Sequence, residues 1–295
     1  MKNTNVLDGL WRRPKFYFEL TKPRISVLCV LMSLGGVALA PQPLNWVKLF
    51  LLSLSVFFSV GSANALNMAM EYKTDALMSR TKNRPIASGR ISPREAGVFG
   101  VFLGLISTLL LAAFVNPLTA SLSLWAIIVY VLVYTPLKYL SPTALIIGAF
   151  PGAMPPLLGW TAAQNAINLP GLVLFGILFF WQIPHFVAIS FLNSSDYKSA
   201  GIKTITLEQG PLYAKIEATL FSATLLIVSV VLFQIGSAGV IYLGFACILG
   251  LIFLLTVIKG FFNINQSIWC KQVFFGSLAY LPLLTLGLVV DRWLQ

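Results

Sequence analysis

Nine continuous apolar runs set the terms for this chain. They fall near residues 25–40, 46–70, 95–114, 118–134, 142–163, 170–192, 212–234, 238–258 and 272–290 of the 295. A helix that crosses a bilayer needs about 20 predominantly apolar residues, and most of the runs meet that length. In hydrocarbon every backbone N–H and C=O must be bonded within the protein, which leaves helices and closed barrels. Barrel strands alternate apolar and polar residues; these runs do not. The expected fold class is all-α, a polytopic membrane bundle of about nine transmembrane helices.

Composition agrees. Only 10% of residues are charged and 58% are hydrophobic, whereas soluble domains carry about 25% charge. The net charge of +11 would suggest nucleic acid for a soluble protein. In a membrane protein it reads as loop charge plus a site for an anionic substrate, with no nucleic-acid partner. Cys29, Cys247 and Cys270 are scattered, which excludes a zinc site or a disulfide framework. The long polar stretch before Ile25 favours a retained first helix over a cleaved signal.

The basic residues orient the bundle. With the N-terminus in the cytoplasm, 18 of the 20 lysines and arginines fall inside, and only Lys48 and Arg292 fall outside. The positive-inside rule then predicts a multi-pass inner-membrane protein with its N-terminus cytoplasmic and its C-terminus outside. The expected organisation is an interfacial segment over 1–24, a transmembrane domain over 25–290 and a short outside tail over 291–295. Residues 5–22 mix Val6, Leu7, Leu10, Trp11, Phe16, Phe18 and Leu20 with Arg12, Arg13 and Lys15, as a segment lying on the membrane surface would. A disordered arm is the alternative, because no clean helical period is visible.

Of nine acidic residues, only Asp291 falls outside. Glu71, Asp75, Glu95, Asp196, Glu208 and Glu217 lie in or beside two interior loops, after the second and sixth spans. Acidic residues contribute little to topology, so the clustering points to a site. The loops are four spans apart, which hints at a duplicated half.

Asn67, Glu71 and Asp75 stand at i, i+4 and i+8 where the second span leaves the membrane, on one helical face. Such a stripe of oxygen ligands suits Mg²⁺, which commonly bridges protein carboxylates to substrate phosphates. A solvated helix end is the ordinary alternative. Arg80, Lys82 and Arg84 follow, and guanidinium groups clamp phosphate oxygens. The second loop carries Asn193, Asp196, Lys198 and Lys203; Asp196 is a candidate ligand for a second cation across a cavity, and Lys198 for the diphosphate. His185 is the single histidine, set inside the sixth span beside Pro184. An ionisable group there is either a functional candidate or a satisfied core residue. Pro151, Pro155 and Pro156 are expected to break the fifth span, and broken helices line cavities; close packing on small residues is the competing reading. Tyr134 and Lys138 close the fourth span.

Together these residues resemble the UbiA superfamily of membrane prenyltransferases, and within it the protoheme IX farnesyltransferase (heme O synthase) branch. The resemblance rests on Leu20 through Ile25, Asn67 through Asp75 leading into Met78 through Pro85, Tyr134 through Lys138, Pro155 through Trp160, Trp181 through Phe186, and Asp196-Tyr197 before Ala200-Gly201-Ile202. It implies nine helices around a central cavity and an allylic diphosphate held by Mg²⁺. It further implies transfer of a farnesyl group from farnesyl diphosphate to a vinyl group of heme b, with addition of water, to make heme O. Asn67, Glu71 and Asp75 match the first metal motif and Asp196 part of the second. Handover to heme A synthase or a terminal oxidase would follow. The chain departs from that branch at Tyr139-Leu140, where basic residues are usual, at Ala144, where Asn is common, and at Lys203 through Thr206. Two rival readings are prenylation of an aromatic quinone precursor such as 4-hydroxybenzoate, and secondary transport with carboxylates binding a coupling ion. Transporters place such sites near the midplane, and these carboxylates lie at span ends.

Overall fold

The computed structural model describes residues 6–262 and 265–294, with side chains from residue 13 onward. The side chains of Val6, Leu7, Leu10, Trp11 and Arg12 therefore lie outside the described residues, as do Lys2 and Gln295. Among the described residues the chain is helical and forms no strand. The helices are α1 (Val6–Leu20), α2 (Pro23–Leu39), α3 (Trp46–Asp75), α4 (Pro93–Val115), α5 (Pro117–Leu137), α6 (Ala144–Gln164), α7 (Leu169–Leu192), α8 (Ser194–Ser199), α9 (Ile205–Glu208), α10 (Pro211–Gln234), α11 (Val240–Phe261) and α12 (Gln266–Trp293).

Among the described residues, eight of these are long and apolar enough to cross a membrane, and the bent pair Arg13–Leu20 with Pro23–Leu39, counted as one span, brings the number to nine. Helix α2 has 17 residues, or about 25 Å at 1.5 Å per residue, short of the ~30 Å hydrocarbon core. The turn at Lys22, with φ 47° and ψ 65°, bends the pair by 47°. This corrects the expected start of the first span: the chain is already helical before residue 25. Leu20 is fully buried, in a cluster with Ala65, Met68, Ile86, Ile91 and Ala96, so the end of α1 docks on the bundle. The disordered arm is excluded for the described part of the segment.

Two helical groups share α6. One core cluster joins α2 through α6, around Leu52, Val56, Leu111, Ala120 and Leu157. The other joins α6 to α7, α10, α11 and α12, around Ala153, Ile183, Leu225, Ala246 and Tyr280. The packing order α2–α3–α4–α5 is repeated as α6–α7–α10–α11, the arrangement that the four-span offset between the acidic loops suggested. An apolar cavity of about 70 Å³ lies between the groups, lined by Leu31, Gly35, Leu178, Tyr242, Leu284 and Leu288 among others.

Helix α6 runs unbroken through Pro151, Pro155 and Pro156, against the expected break. Transmembrane helices tolerate proline when neighbours re-satisfy the freed backbone, and here Pro155 and Pro156 are buried. Small residues explain the packing. A Cβ on Gly159 would sit far inside van der Waals contact with the Ser33 carbonyl oxygen, and one on Gly36 far inside contact with that of Pro156. Helices α2 and α6 thus meet backbone to backbone. Helix α7 likewise continues through Pro184.

The end opposite the acidic loops is fastened by two of the three charges assigned there from sequence, Asp291 and Arg292. Asp291 accepts from the backbone N–H groups of Gly239, Ile241 and Tyr242 at the start of α11. Arg292 donates to the carbonyls of Ala38 and Leu39 at the end of α2, at 2.7 and 2.8 Å. Each charge complements a helix terminus of opposite polarity. Residues 291–293 form the last turn of α12.

The close approach of α2 and α6 generates a test. Gly159→Leu is expected to destabilise by about 1–3 kcal/mol or more and to lower the thermal transition and folded yield in detergent. Gly35→Ala places its Cβ where nothing lies within 4 Å, and is expected to behave as wild type.

Candidate active site

Asn67, Glu71 and Asp75 share one face of α3, as their spacing predicts, and all three are buried. Helix α3 has 30 residues and extends past its apolar run, so the face continues beyond the hydrocarbon depth. Each side chain has a partner from another segment or from the following loop. Asn67 Nδ2 donates to Thr135 Oγ1 at 3.0 Å. Glu71 forms an ion pair with Lys138, at the end of α5. Arg84 Nη1 donates to both carboxylate oxygens of Asp75, at 2.8 Å each.

Burial makes these pairs mandatory. A carboxylate removed from water without a partner costs several kcal/mol. The turns at 76–92 are shaped to deliver Arg84: Thr81 Oγ1 bonds the Asp75 carbonyl at 2.8 Å, and Met78 accepts from the N–H groups of Thr81 and Lys82. Tyr139 completes the wall. Its hydroxyl bonds Thr74 Oγ1 at 2.7 Å. Burial, reinforced by Glu71, pushes its pKa up to about 12, so it keeps its proton at neutral pH.

Asp196 sits on α8 and reaches the first acidic loop. It accepts from Ser79 Oγ at 2.8 and 3.1 Å and from Arg80 N at 3.4 Å. Those bonds, led by Ser79, hold its carboxyl below the usual carboxylate range. Met78, Ala200 and Ile202 pack between the loops with Tyr139 and Tyr197, and Lys203 N donates to the Lys138 carbonyl at 2.8 Å. The two loops thus meet at one end of the bundle. Among the described residues no three of His, Cys, Asp or Glu are gathered closely enough to hold a metal alone, so Asp196 stands apart from the Glu71–Asp75 pair.

Other expected residues fall elsewhere. Arg80, Lys82 and Lys198 are exposed at this end. Asn193 ends α7, with Nδ2 bonded to the Ile189 carbonyl at 3.0 Å. His185 Nδ1 meets Ser277 Oγ at 2.7 Å, and its ring stacks between Trp181 and Phe274, so it faces α12. Lys22 was not among the expected site residues, yet it lies within electrostatic reach of Glu71, Asp75, Arg84 and Lys138. Its left-handed backbone, a conformation that costs a non-glycine residue about 1–2 kcal/mol, was invisible in the sequence; the Thr21-Lys22-Pro23 pattern was the available signal.

The profile of the UbiA prenyltransferase family matches residues 27–279. The chain belongs to that family. It is 42% identical over 274 residues to the protoheme IX farnesyltransferase of Myxococcus xanthus (strain DK1622), covering 93% of each chain. Its fold is similar to that of a digeranylgeranylglyceryl phosphate synthase, with TM-score 0.81 at 18% identity, covering 95% of this chain and 98% of the other. A UbiA homolog from Archaeoglobus fulgidus, solved bound to GPP and Mg²⁺, superposes with TM-score 0.68 at 18% identity, covering 93% and 99%. These likenesses establish the UbiA fold and identify the chain as a multi-pass membrane prenyltransferase.

The Asp75–Arg84 pair can be measured directly. Arg84→Met strands a buried charge and is expected to cost about 3–5 kcal/mol. Asp75→Asn combined with Arg84→Met removes both charges and should recover much of that loss in a double-mutant cycle of chemical denaturation. A double variant no more stable than Arg84→Met alone would remove the pair as the source.

Proposed function

We propose that this chain transfers the farnesyl group of farnesyl diphosphate to a vinyl carbon of heme b, with addition of water, to make heme O. The observation that carries the reading is the buried Glu71–Asp75 pair on one face of α3, ringed by Lys138, Arg84 and Lys22. Identity of 42% to a protoheme IX farnesyltransferase across 93% of the chain supports heme as the acceptor. Transporter sites lie near the bilayer midplane, whereas Asp75 is the last residue of α3, which favours the enzyme.

The donor set fits Mg²⁺. That ion is typically held by one or two carboxylates plus substrate phosphates, so a cage of three protein acids is not required. Glu71 and Asp75 would hold it, with Asn67 beside them and Asp196 toward the other loop. When bound, Mg²⁺ would supply positive charge for the departing diphosphate. Arg84 and Lys138 offer charge-assisted hydrogen bonds to the same oxygens, with Lys22 beside them and Arg80, Lys82 and Lys198 at the rim.

The C1–O bond of farnesyl diphosphate breaks with both electrons leaving on the diphosphate. The allylic cation is sheltered from premature water by the apolar walls. The vinyl π electrons attack its C1, and the new cation beside the porphyrin takes up water and loses a proton, leaving a hydroxyl group. His185, Asn193 and the cationic rim remain candidates for holding the acceptor and its propionates. The basic asymmetry of the loops supports an inner-membrane location with the site facing the cytoplasm and the C-terminus outside. A hydrophobic heme product favours handover within the membrane to heme A synthase or a terminal oxidase.

The test is to incubate purified protein, farnesyl diphosphate and Mg²⁺ with heme b or with 4-hydroxybenzoate and to analyse the products by mass spectrometry. Heme O, lost on adding chelator, is expected. Prenylated benzoate without heme O would overturn the heme assignment, and full activity in chelator would overturn the metal assignment.

A further inference from the structure

The carboxylates that would receive metal and diphosphate already have partners. The Glu71 and Lys138 side chains are 4% and 13% exposed, so this pair is nearly dry. Arg84 engages both oxygens of Asp75. Lys22 lies within electrostatic reach of both acids and of both their partners. Two cations are thus engaged by two carboxylates in this cluster. A divalent ion arriving alone would meet carboxylates that are already neutralised and would have to displace both cations. A diphosphate arriving alone would find Lys138 and Arg84 engaged.

Arriving together, each provides what the other needs. The metal replaces the cations at Glu71 and Asp75, and the diphosphate gives the released cations new partners. Where it stands beside Glu71, Lys138 Nζ lies 5.8 Å from the Tyr134 ring centroid and 5.5 Å from that of Tyr139, within cation–π range, so the rings flank its ammonium at the site whether its partner is Glu71 or a diphosphate. The Tyr139–Thr74 hydrogen bond fixes that ring against α3.

We propose that Lys138 and Arg84 are resident counter-ions that exchange from Glu71 and Asp75 onto the diphosphate when metal binds, so that metal and diphosphate bind cooperatively and neither binds tightly alone. This rests on the diphosphate–metal reading of the site. Linkage requires the enhancement to be reciprocal, and couplings of this kind span about 5–150-fold.

The experiment uses the full chain in lipid nanodiscs. Mn²⁺ binding is measured by electron paramagnetic resonance with and without inorganic pyrophosphate. Pyrophosphate binding is measured with and without Mn²⁺, both corrected for the metal–pyrophosphate complex in solution. Pyrophosphate is expected to tighten Mn²⁺ binding about tenfold or more, and Mn²⁺ to tighten pyrophosphate binding by the same factor. Lys138→Gln is expected to bind Mn²⁺ alone about tenfold more tightly than wild type and to lose most of the enhancement. Wild-type Mn²⁺ affinity unchanged by pyrophosphate would overturn the exchange while leaving the metal site standing. Absence of Mn²⁺ binding in every condition would remove the metal site and the exchange together. Should Lys138→Gln fail to fold, the reciprocal wild-type measurements decide the matter.

Discussion

Everything at the functional end of this bundle follows from burying two carboxylates, Glu71 and Asp75, one helical turn apart on α3. Neither can remain ionised in a dry site without a cation beside it. Lys138 supplies one from the end of α5, and Arg84 supplies the other from the turns after α3. Those requirements draw distant segments together. Residues 76–92 must fold back to place Arg84, and the end of α5 must lie against α3. The second loop is then anchored by Asp196 on Ser79 and by the backbone bond from Lys203 to Lys138. A solvated helix end, the ordinary alternative for the acidic stripe, would carry none of these partners.

The opposite end uses charge in a different way. Asp291 and Arg292 bind the start of α11 and the end of α2 through backbone groups, satisfying helix-terminal donors and acceptors that lipid could not. There the charges have fixed, saturated partners and serve architecture. At the α3 end the charges are held by other side chains, which are exchangeable, and that difference separates the site from the scaffold.

Much of this was legible in the sequence. The apolar runs predicted the spans within a few residues, because lipid tolerates so few backbone arrangements. The i, i+4, i+8 spacing placed Asn67, Glu71 and Asp75 on one face because helix geometry is local. What the sequence hid were the partners. Arg84 reads as a diphosphate clamp until the fold turns it onto Asp75, and Lys138 reads as a rim charge until α5 brings it to Glu71. Lys22 escaped because its role depends on a left-handed turn. The three prolines of α6 suggested a break by local rules, and only the buried, close contact with α2 explains an intact helix. His185 drew attention as an intramembrane ionisable group, and the stacking of Trp181 and Phe274 around it was unreadable without the packing of α7 on α12.

The central claim is that the buried carboxylates of α3 serve group transfer rather than folding alone. The most direct measurement is the heme content, by mass spectrometry, of membranes from cells whose only copy of this activity is the Asp75→Asn variant, normalised to the folded protein present. Asn keeps the shape and removes the charge. The account predicts membrane-inserted protein with heme O formation reduced by about 100-fold or more, the scale on which losing one transition-state electrostatic contact acts. Heme O at the wild-type level per folded molecule would contradict it.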